Sequence, residues 1–216
     1  MGFQKSYAVF GLGNFGTAVA KELAKSGAEV LAVDLNESVV HHVTESIPLC
    51  KCADVTDPDV LKQLGIANFD TVIVAMAENL EASVMAVTLC KEAGVPEVIA
   101  KCANEMHRRI LLRVGADTAI IPEKESGKRL AKNLLSAGFS EMIGLSDKIS
   151  MVELKVRSEW VGKTLIQLQL RKKYEMNVVA LRTGGTITTA VDPTLPLTSE
   201  MQLIVIAETA KLRKLR

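Results

Sequence analysis

The chain has 216 residues with 26 basic and 25 acidic side chains, a formal charge of +1 and 48% hydrophobic residues, enough apolar surface for a real core. The even charge, a pI near 7.7 and only 4% aromatic residues argue against nucleic-acid binding, whether by a basic patch or by base stacking. No apolar run approaches the roughly 18 residues that span a bilayer, and Met1-Gly2-Phe3-Gln4-Lys5-Ser6 lacks a signal-peptide core, so a soluble cytoplasmic protein is expected.

Tyr7–Phe10 is a short apolar run that stops at Gly11. A helix follows over Asn14–Ser26, with Phe15, Val19 and Leu23 on one face and Gly27 as its stop. Glu29–Asp34 reads as a second strand, and its run Val30-Leu31-Ala32-Val33 fits a strand buried on both faces of a parallel sheet. Asn36 caps a helix to Thr44, Leu49–Ala53 makes a third strand, and Asp57-Pro58 opens a short helix to Leu64. Strands at Thr71–Ala75, Glu97–Lys101 and Thr118–Ile121 then alternate with helices at Leu80–Ala93, Asn104–Val114 and Glu123–Ala137. Six β/α units with short connections specify an α/β fold, a Rossmann-like doubly wound parallel sheet.

After Gly138 the pattern changes, and Phe139–Lys148 reads as a connector without a clean period. Ser150–Arg157 alternates apolar and polar residues, and Lys163–Lys173 has a helical period through Leu165, Leu168 and Arg171. Asn177–Arg182 and Thr186–Ala190 flank Thr183-Gly184-Gly185, a hairpin turn in which both glycines accept positive φ. Pro193 and Pro196 mark a loop before a last strand at Met201–Ala207. The expected division is a doubly wound domain at 1–138, a linker at 139–149 and a small α+β domain at 150–216. The four cysteines, Cys50, Cys52, Cys90 and Cys102, read as reduced core residues. His41 and His42 precede Cys50 and Cys52, but the one-residue gap between those cysteines is atypical of a zinc knuckle.

The chemistry concentrates in Gly11-Leu12-Gly13-Asn14-Phe15-Gly16, a G-x-G-x-x-G between a strand and a helix. The first glycine permits the tight turn, the second lets a pyrophosphate approach the backbone, and the third lets the helix pack on the strand. The helix start offers unpaired N–H groups and a partial positive charge to phosphates. Asp34 ends the second strand, where a carboxylate accepts from both ribose hydroxyls and repels a 2′-phosphate. The pattern points to an adenosine nucleotide other than NADP; the bland alternative is a tight turn beside a solvent-facing Asp34.

Further residues at strand ends border the same crevice. Leu35 stands beside Asp34; Asp54 and Val55 follow the third strand, at the adenine edge; Ala75, Met76 and Ala77 follow the fourth. Lys101 ends the fifth strand and either neutralises phosphate or is an ordinary solvated lysine. Asn104 and His107 open the next helix and are counted with the crevice, although one histidine on a helix is more often a surface residue. Glu123, at the carboxyl end of the sixth strand, either binds a divalent ion or caps the helix that follows. His41, His42 and His107 are the only histidines. No catalytic constellation emerges, so the chain is not expected to be an enzyme. An NAD-dependent oxidoreductase and a stand-alone nucleotide sensor are the rival readings.

A nucleotide-type sheet without catalytic equipment, joined to a small mixed domain, resembles the RCK proteins of the bacterial Trk/Ktr potassium uptake systems, most of all the single-RCK KtrA type. The resemblance is carried by Tyr7–Gly16, Val30–Asp34, Leu64-Gly65-Ile66, Phe69–Ala75, Gly115-Ala116-Asp117 and Ile121-Pro122-Glu123, and by Lys163–Tyr174 in the second domain. It implies TrkA-N and TrkA-C domains, homodimers assembled into an octameric gating ring, and a membrane potassium-translocating partner of the KtrB or TrkH type. The protein would then be cytoplasmic and peripheral to the inner face of the membrane. ATP, ADP or NAD(H) in the crevice would change the ring's shape and gate potassium flux.

The same resemblance places phosphates at Gly11, Gly13, Asn14 and Gly16, the ribose at Asp34, and Lys101 toward phosphate. It makes Glu123, with its counterpart across a dimer interface, the holder of Mg2+ or another divalent cation. Many KtrA-type proteins carry arginine where this chain has Asn14, so a strong preference for ATP over ADP is not implied. It also implies a cyclic di-AMP pocket at Leu165, Ile166, Leu170, Arg171, Asn177 and Pro193; the alternative is a plain dimer interface with an exposed arginine. The basic end, Lys211–Arg216, reads as a solvated tail or a contact for acidic headgroups or the membrane partner.

Overall fold

The computed structural model describes residues 5–135, 139–146 and 148–212. The backbone divides into two compact units, 1–123 and 124–216.

The first unit alternates β1 (Ser6–Phe10), α1 (Asn14–Lys25), β2 (Glu29–Asp34), α2 (Glu37–Thr44), β3 (Leu49–Cys52), α3 (Pro58–Gln63), β4 (Thr71–Val74), α4 (Leu80–Glu92), β5 (Glu97–Lys101), α5 (Glu105–Arg113) and β6 (Thr118–Ile120). The strands form one parallel sheet in the order β3-β2-β1-β4-β5-β6. Successive side chains of a strand point to opposite faces, and here both faces are dry. Ala8 and Phe10 join Leu31, Val33, Val72 and Val74 in one cluster. Val9 joins Val30, Ala32 and Ile73 in the other. The chain winds outward to β3, then returns to place β4 on the free side of β1. The strand order therefore reverses between β1 and β4, where such sheets open a crevice at their carboxyl ends.

Polar caps start the helices. Asn36, Asp57, Asn79 and Asn104 each accept a first-turn N–H on a side-chain oxygen, with Pro58 opening α3. Element ends fall within a residue or two of the sequence expectation. The core assignment of the cysteines holds only in part. Cys90 and Cys102 are buried, but Cys50 is half-buried and Cys52 exposed, because β3 is the edge strand and pairs only with β2.

The helix α6 (Pro122–Leu135) leads to β7 (Phe139–Gly144), β8 (Ile149–Lys155), α7 (Leu165–Leu168), α8 (Leu170–Tyr174), β9 (Asn177–Thr183), β10 (Thr186–Thr188), β11 (Met201–Glu208) and α9 (Thr209–Leu212). The expected end of α6, Ser136-Ala137, lies outside the described residues, as do the last four residues of the basic end, 213–216. The five strands form an antiparallel sheet, β10-β9-β11-β8-β7, with its core on one face. That core combines Val152, Leu154, Leu181, Leu203 and Val205 with Trp160, Leu168, Leu170, Met176, Leu197 and Leu212. Arg157 lies over the Trp160 ring at 5.4 Å.

Three expectations for this unit are corrected. The connector carries strand β7, which pairs with β8 through the backbone and needs no side-chain alternation of its own. The helix over Lys163–Lys173 is two short helices, because Gln169 takes φ +49° between them. The second hairpin strand stops at Thr188, and α9, for which the sequence carried no signal, follows β11.

Candidate functional site

The glycine loop has the three geometries its spacing demands. Gly11 takes φ +87°, and a Cβ there would stand 2.8 Å from Met76 Cγ. A Cβ on Gly16 would lie 1.9 Å from the Gly11 carbonyl oxygen, so only glycine lets α1 start this close to β1. Gly13 is the N-cap of α1; nothing stands within 4 Å of a Cβ built there, and the side-chain cap that other helices carry is absent. Exposed Asn14 and half-buried Phe15 form the first turn, which holds no acid. That turn presents free N–H groups and the positive end of a twelve-residue helix to the crevice.

Asp34 is tied into this loop. Its Oδ2 accepts the Leu12 N–H at 2.6 Å and its Oδ1 accepts the Asn36 N–H at 2.9 Å. Thr17 Oγ1 donates to the Leu12 carbonyl at 2.6 Å, and the Gly11 N–H donates to the Val33 carbonyl at 2.8 Å. Sequence reading missed Leu12 and Thr17, because one acts through its backbone and the other through a turn contact. Each carboxylate oxygen keeps a further lone pair for a ligand hydroxyl.

Around this centre, Leu35 is 70% exposed, an unusual state for leucine beside a polar crevice. Asp54 is exposed, and its Oδ1 accepts the Thr56 hydroxyl and amide, which hold its carboxyl below the usual range. Val55 and Ala77 are buried; Ala75 and Met76 are half-buried. Ser83 fastens the loop by donating to the Met76 and Asn79 carbonyls at 2.7 and 2.8 Å.

Lys101, Phe15 and Glu123 come together. Lys101 Nζ stands 2.8 Å from Glu123 Oε1 and 5.9 Å from the centre of the Phe15 ring. The hydrogen bond from Lys101 draws the Glu123 carboxyl below its ordinary value. Asn104 spends its side-chain oxygen on capping α5. His107 corrects the surface expectation: it is 4% exposed, its Nδ1 accepts the Ala103 N–H at 3.3 Å, and burial lowers its pKa. Nδ1 is therefore the unprotonated nitrogen, and the buried Nε2 carries the hydrogen without a partner among the described residues. Among the described residues no three His, Cys, Asp or Glu side chains gather closely enough to hold a metal ion.

The second unit forms a concavity of about 300 Å³ lined by Leu165, Ile166, Gln169, Leu170, Arg171, Met176, Asn177 and Val178. Five of the six residues expected in the second pocket line it, and the Pro193 carbonyl accepts the Ile166 N–H at 3.3 Å. Gln169, Met176 and Val178 were not anticipated; the break at Gln169 brings α7 and α8 around the hollow. A larger groove of about 500 Å³, between α3 and α4, contains none of the anticipated residues.

The TrkA-N domain model matches residues 7–122 and the TrkA-C domain model residues 149–216. The Ktr system potassium uptake protein C of Bacillus subtilis (strain 168) is 38% identical over 203 residues, covering 94% of this chain and 92% of that protein. The Ktr system potassium uptake protein A of the same organism is 39% identical over 183 residues, covering 85% and 82%. The solved GsuK channel bound to NAD shares the fold, with a TM-score of 0.63 and 16% identity over 98% of this chain and 38% of that one. No helix among the described residues is long and apolar enough to cross a membrane.

Proposed function

The chain belongs to the TrkA (RCK) family of potassium uptake proteins, in its Ktr group, and from that premise we propose a nucleotide-sensing, gating subunit. The observation that carries the sensing role is the convergence of the glycine loop and Asp34 at the strand-order reversal between β1 and β4. ATP, ADP or NAD(H) places its phosphates over the first turn of α1, around Gly11, Gly13, Asn14 and Gly16. Asp34 takes the ribose, and Leu35, Asp54 and Val55 border the adenine. Ala75, Met76 and Ala77 cover the middle of the ligand, with Asn104 and His107 on the side of β5.

Copies of the chain pair and assemble into an octameric ring beneath a membrane potassium-translocating subunit of the KtrB or TrkH type. The protein is then cytoplasmic and peripheral to the inner membrane face. A ligand biases the ring only by its differential affinity for two shapes, and couplings of about 1–3 kcal/mol are typical of such devices. The role is regulatory: among the described residues the crevice gathers groups suited to binding a nucleotide. A divalent cation at Glu123 requires a second carboxylate from another copy or the phosphates of the nucleotide. The hollow between α7 and α8 takes cyclic di-AMP, with Arg171 against a phosphate and Leu165, Ile166 and Leu170 against the bases.

Thermal unfolding with ATP, ADP, NAD, NADH and cyclic di-AMP tests the reading, since a ligand of the folded state raises the melting point by mass action. Adenine nucleotides are expected to raise it in the wild type and not in Asp34→Ala. Cyclic di-AMP is expected to act in Asp34→Ala and not in Arg171→Ala. Silence of every nucleotide in the wild type overturns the sensing role. Loss of potassium uptake in a deletion strain, restored by the gene, tests the gating role.

A further inference from the structure

Lys101 and Glu123 form an unequal pair. The lysine side chain, at the end of β5, is 18% exposed, while Glu123, the second residue of α6, is 67% exposed. A shielded ammonium needs a counter-charge close by. An exposed carboxylate, by contrast, surrenders an ion pair to water with little loss. The pair therefore parts readily on one condition, that another anion meets Lys101.

Phosphate is such an anion. It takes a lysine as a point charge through short, charge-assisted hydrogen bonds. The turn assigned to the phosphates includes Phe15, whose ring centre is 5.9 Å from Lys101 Nζ. A lysine that stayed with Glu123 would also keep a carboxylate beside the incoming phosphate, an arrangement of like charges.

We propose that Lys101 is a two-position cation that leaves Glu123 for the phosphate of a bound nucleotide, so that phosphate arrival releases the first turn of α6. The inference rests on the nucleotide reading above and adds to it a route out of the crevice. Glu123 is the last residue of the first compact unit and Lys124 the first of the second. The released carboxylate thus sits where the chain leaves the sensing unit. Phosphate, more than adenine or ribose, becomes the chemical signal.

The test uses the full chain in EDTA, titrated calorimetrically with ADP and with adenosine, as wild type, Glu123→Gln, Lys101→Met and the double variant. Glu123→Gln is expected to bind ADP about 3-fold more tightly, with adenosine unchanged. Lys101→Met is expected to bind ADP about 10-fold more weakly, and adding Glu123→Gln to it changes nothing further. Hydrogen exchange separates a change of partner from mere removal of a nearby charge. ADP should raise amide exchange across residues 124–130 in the wild type, and not in Glu123→Gln, where those amides already exchange at the raised rate. Unchanged ADP affinity in Glu123→Gln, or protection of residues 124–130 by ADP in the wild type, overturns the proposal while leaving nucleotide binding intact. A wild type that binds neither ADP nor adenosine removes the nucleotide reading and this inference together.

Discussion

The two compact units solve the same burial problem in opposite ways. In the first, helices dry both faces of a parallel sheet, so β4 is buried at every position and β2 at four of six. In the second, one face of an antiparallel sheet holds the core, and β11 alternates along its length. A strand dry on both faces leaves little choice of residue. A strand dry on one face shares its instructions with its neighbours, its turns and its register. The first unit should therefore fail abruptly when a single close approach is spoiled, and the second should yield by degrees.

The protein reports the two separately. Its single tryptophan, Trp160, lies in the second core, so fluorescence follows that unit while far-ultraviolet circular dichroism follows both. The largest effect is expected from Gly16→Val, whose Cβ would meet the Gly11 carbonyl oxygen at 1.9 Å. A loss above about 4 kcal/mol should unfold the first unit, removing most of the dichroism change on urea titration and leaving the fluorescence transition. Gly13→Ala, with open space around it, should shift neither by more than about 0.5 kcal/mol.

Arg182→Ala comes next, in the second unit. Arg182 Nε lies 2.6 Å from Glu153 Oε1 and its Nη2 lies 3.2 Å from Oε2, while Glu153 is only 8% exposed. Stranding that carboxylate should lower the fluorescence midpoint by the equivalent of about 2 kcal/mol, and Glu153→Leu in the same chain should restore most of it. Equal loss in both variants would show that shape, and not charge, holds this face.

The third effect depends on pH and belongs to the first unit. Burial holds the pKa of His107 below its ordinary 6.5, so the unfolded chain takes up a proton that the folded chain refuses. Its contribution is complete above pH 6.5 and is lost as pH falls below that value toward the folded pKa. The dichroism midpoint should fall over that range in the wild type and flatten in His107→Gln. Gln169→Gly, which relieves the φ of +49° between α7 and α8, should raise the fluorescence midpoint by about 0.5 kcal/mol.

The same contrast governs what could be read from the residues. The residue pattern bounds Glu29–Asp34 to the residue and marks Asn36 and Asp57 as caps, because local chemistry decides those positions. The spacing of Gly11, Gly13 and Gly16 predicts the close packing found at Gly16. The break at Gln169 and the pairing of β7 depend on contacts made only once the chain is folded. So does the exposure of Cys52 on the edge strand, and so do the bonds from Asp34 to Leu12 and from Lys101 to Glu123. Residue types at the candidate site were thus legible, but the partners they hold were not.

The bond from Asp34 to the Leu12 amide sets the tempo of the proposed sensor. A phosphate loop already fixed at both ends spends little ordering entropy when ligand arrives, so exchange between nucleotides is limited by departure and not by rearrangement. Where competing nucleotides all stand well above their dissociation constants, a site of that kind stays full by mass action. It then registers the ratio of its ligands and not their amounts, and behaves as a gauge of relative abundance.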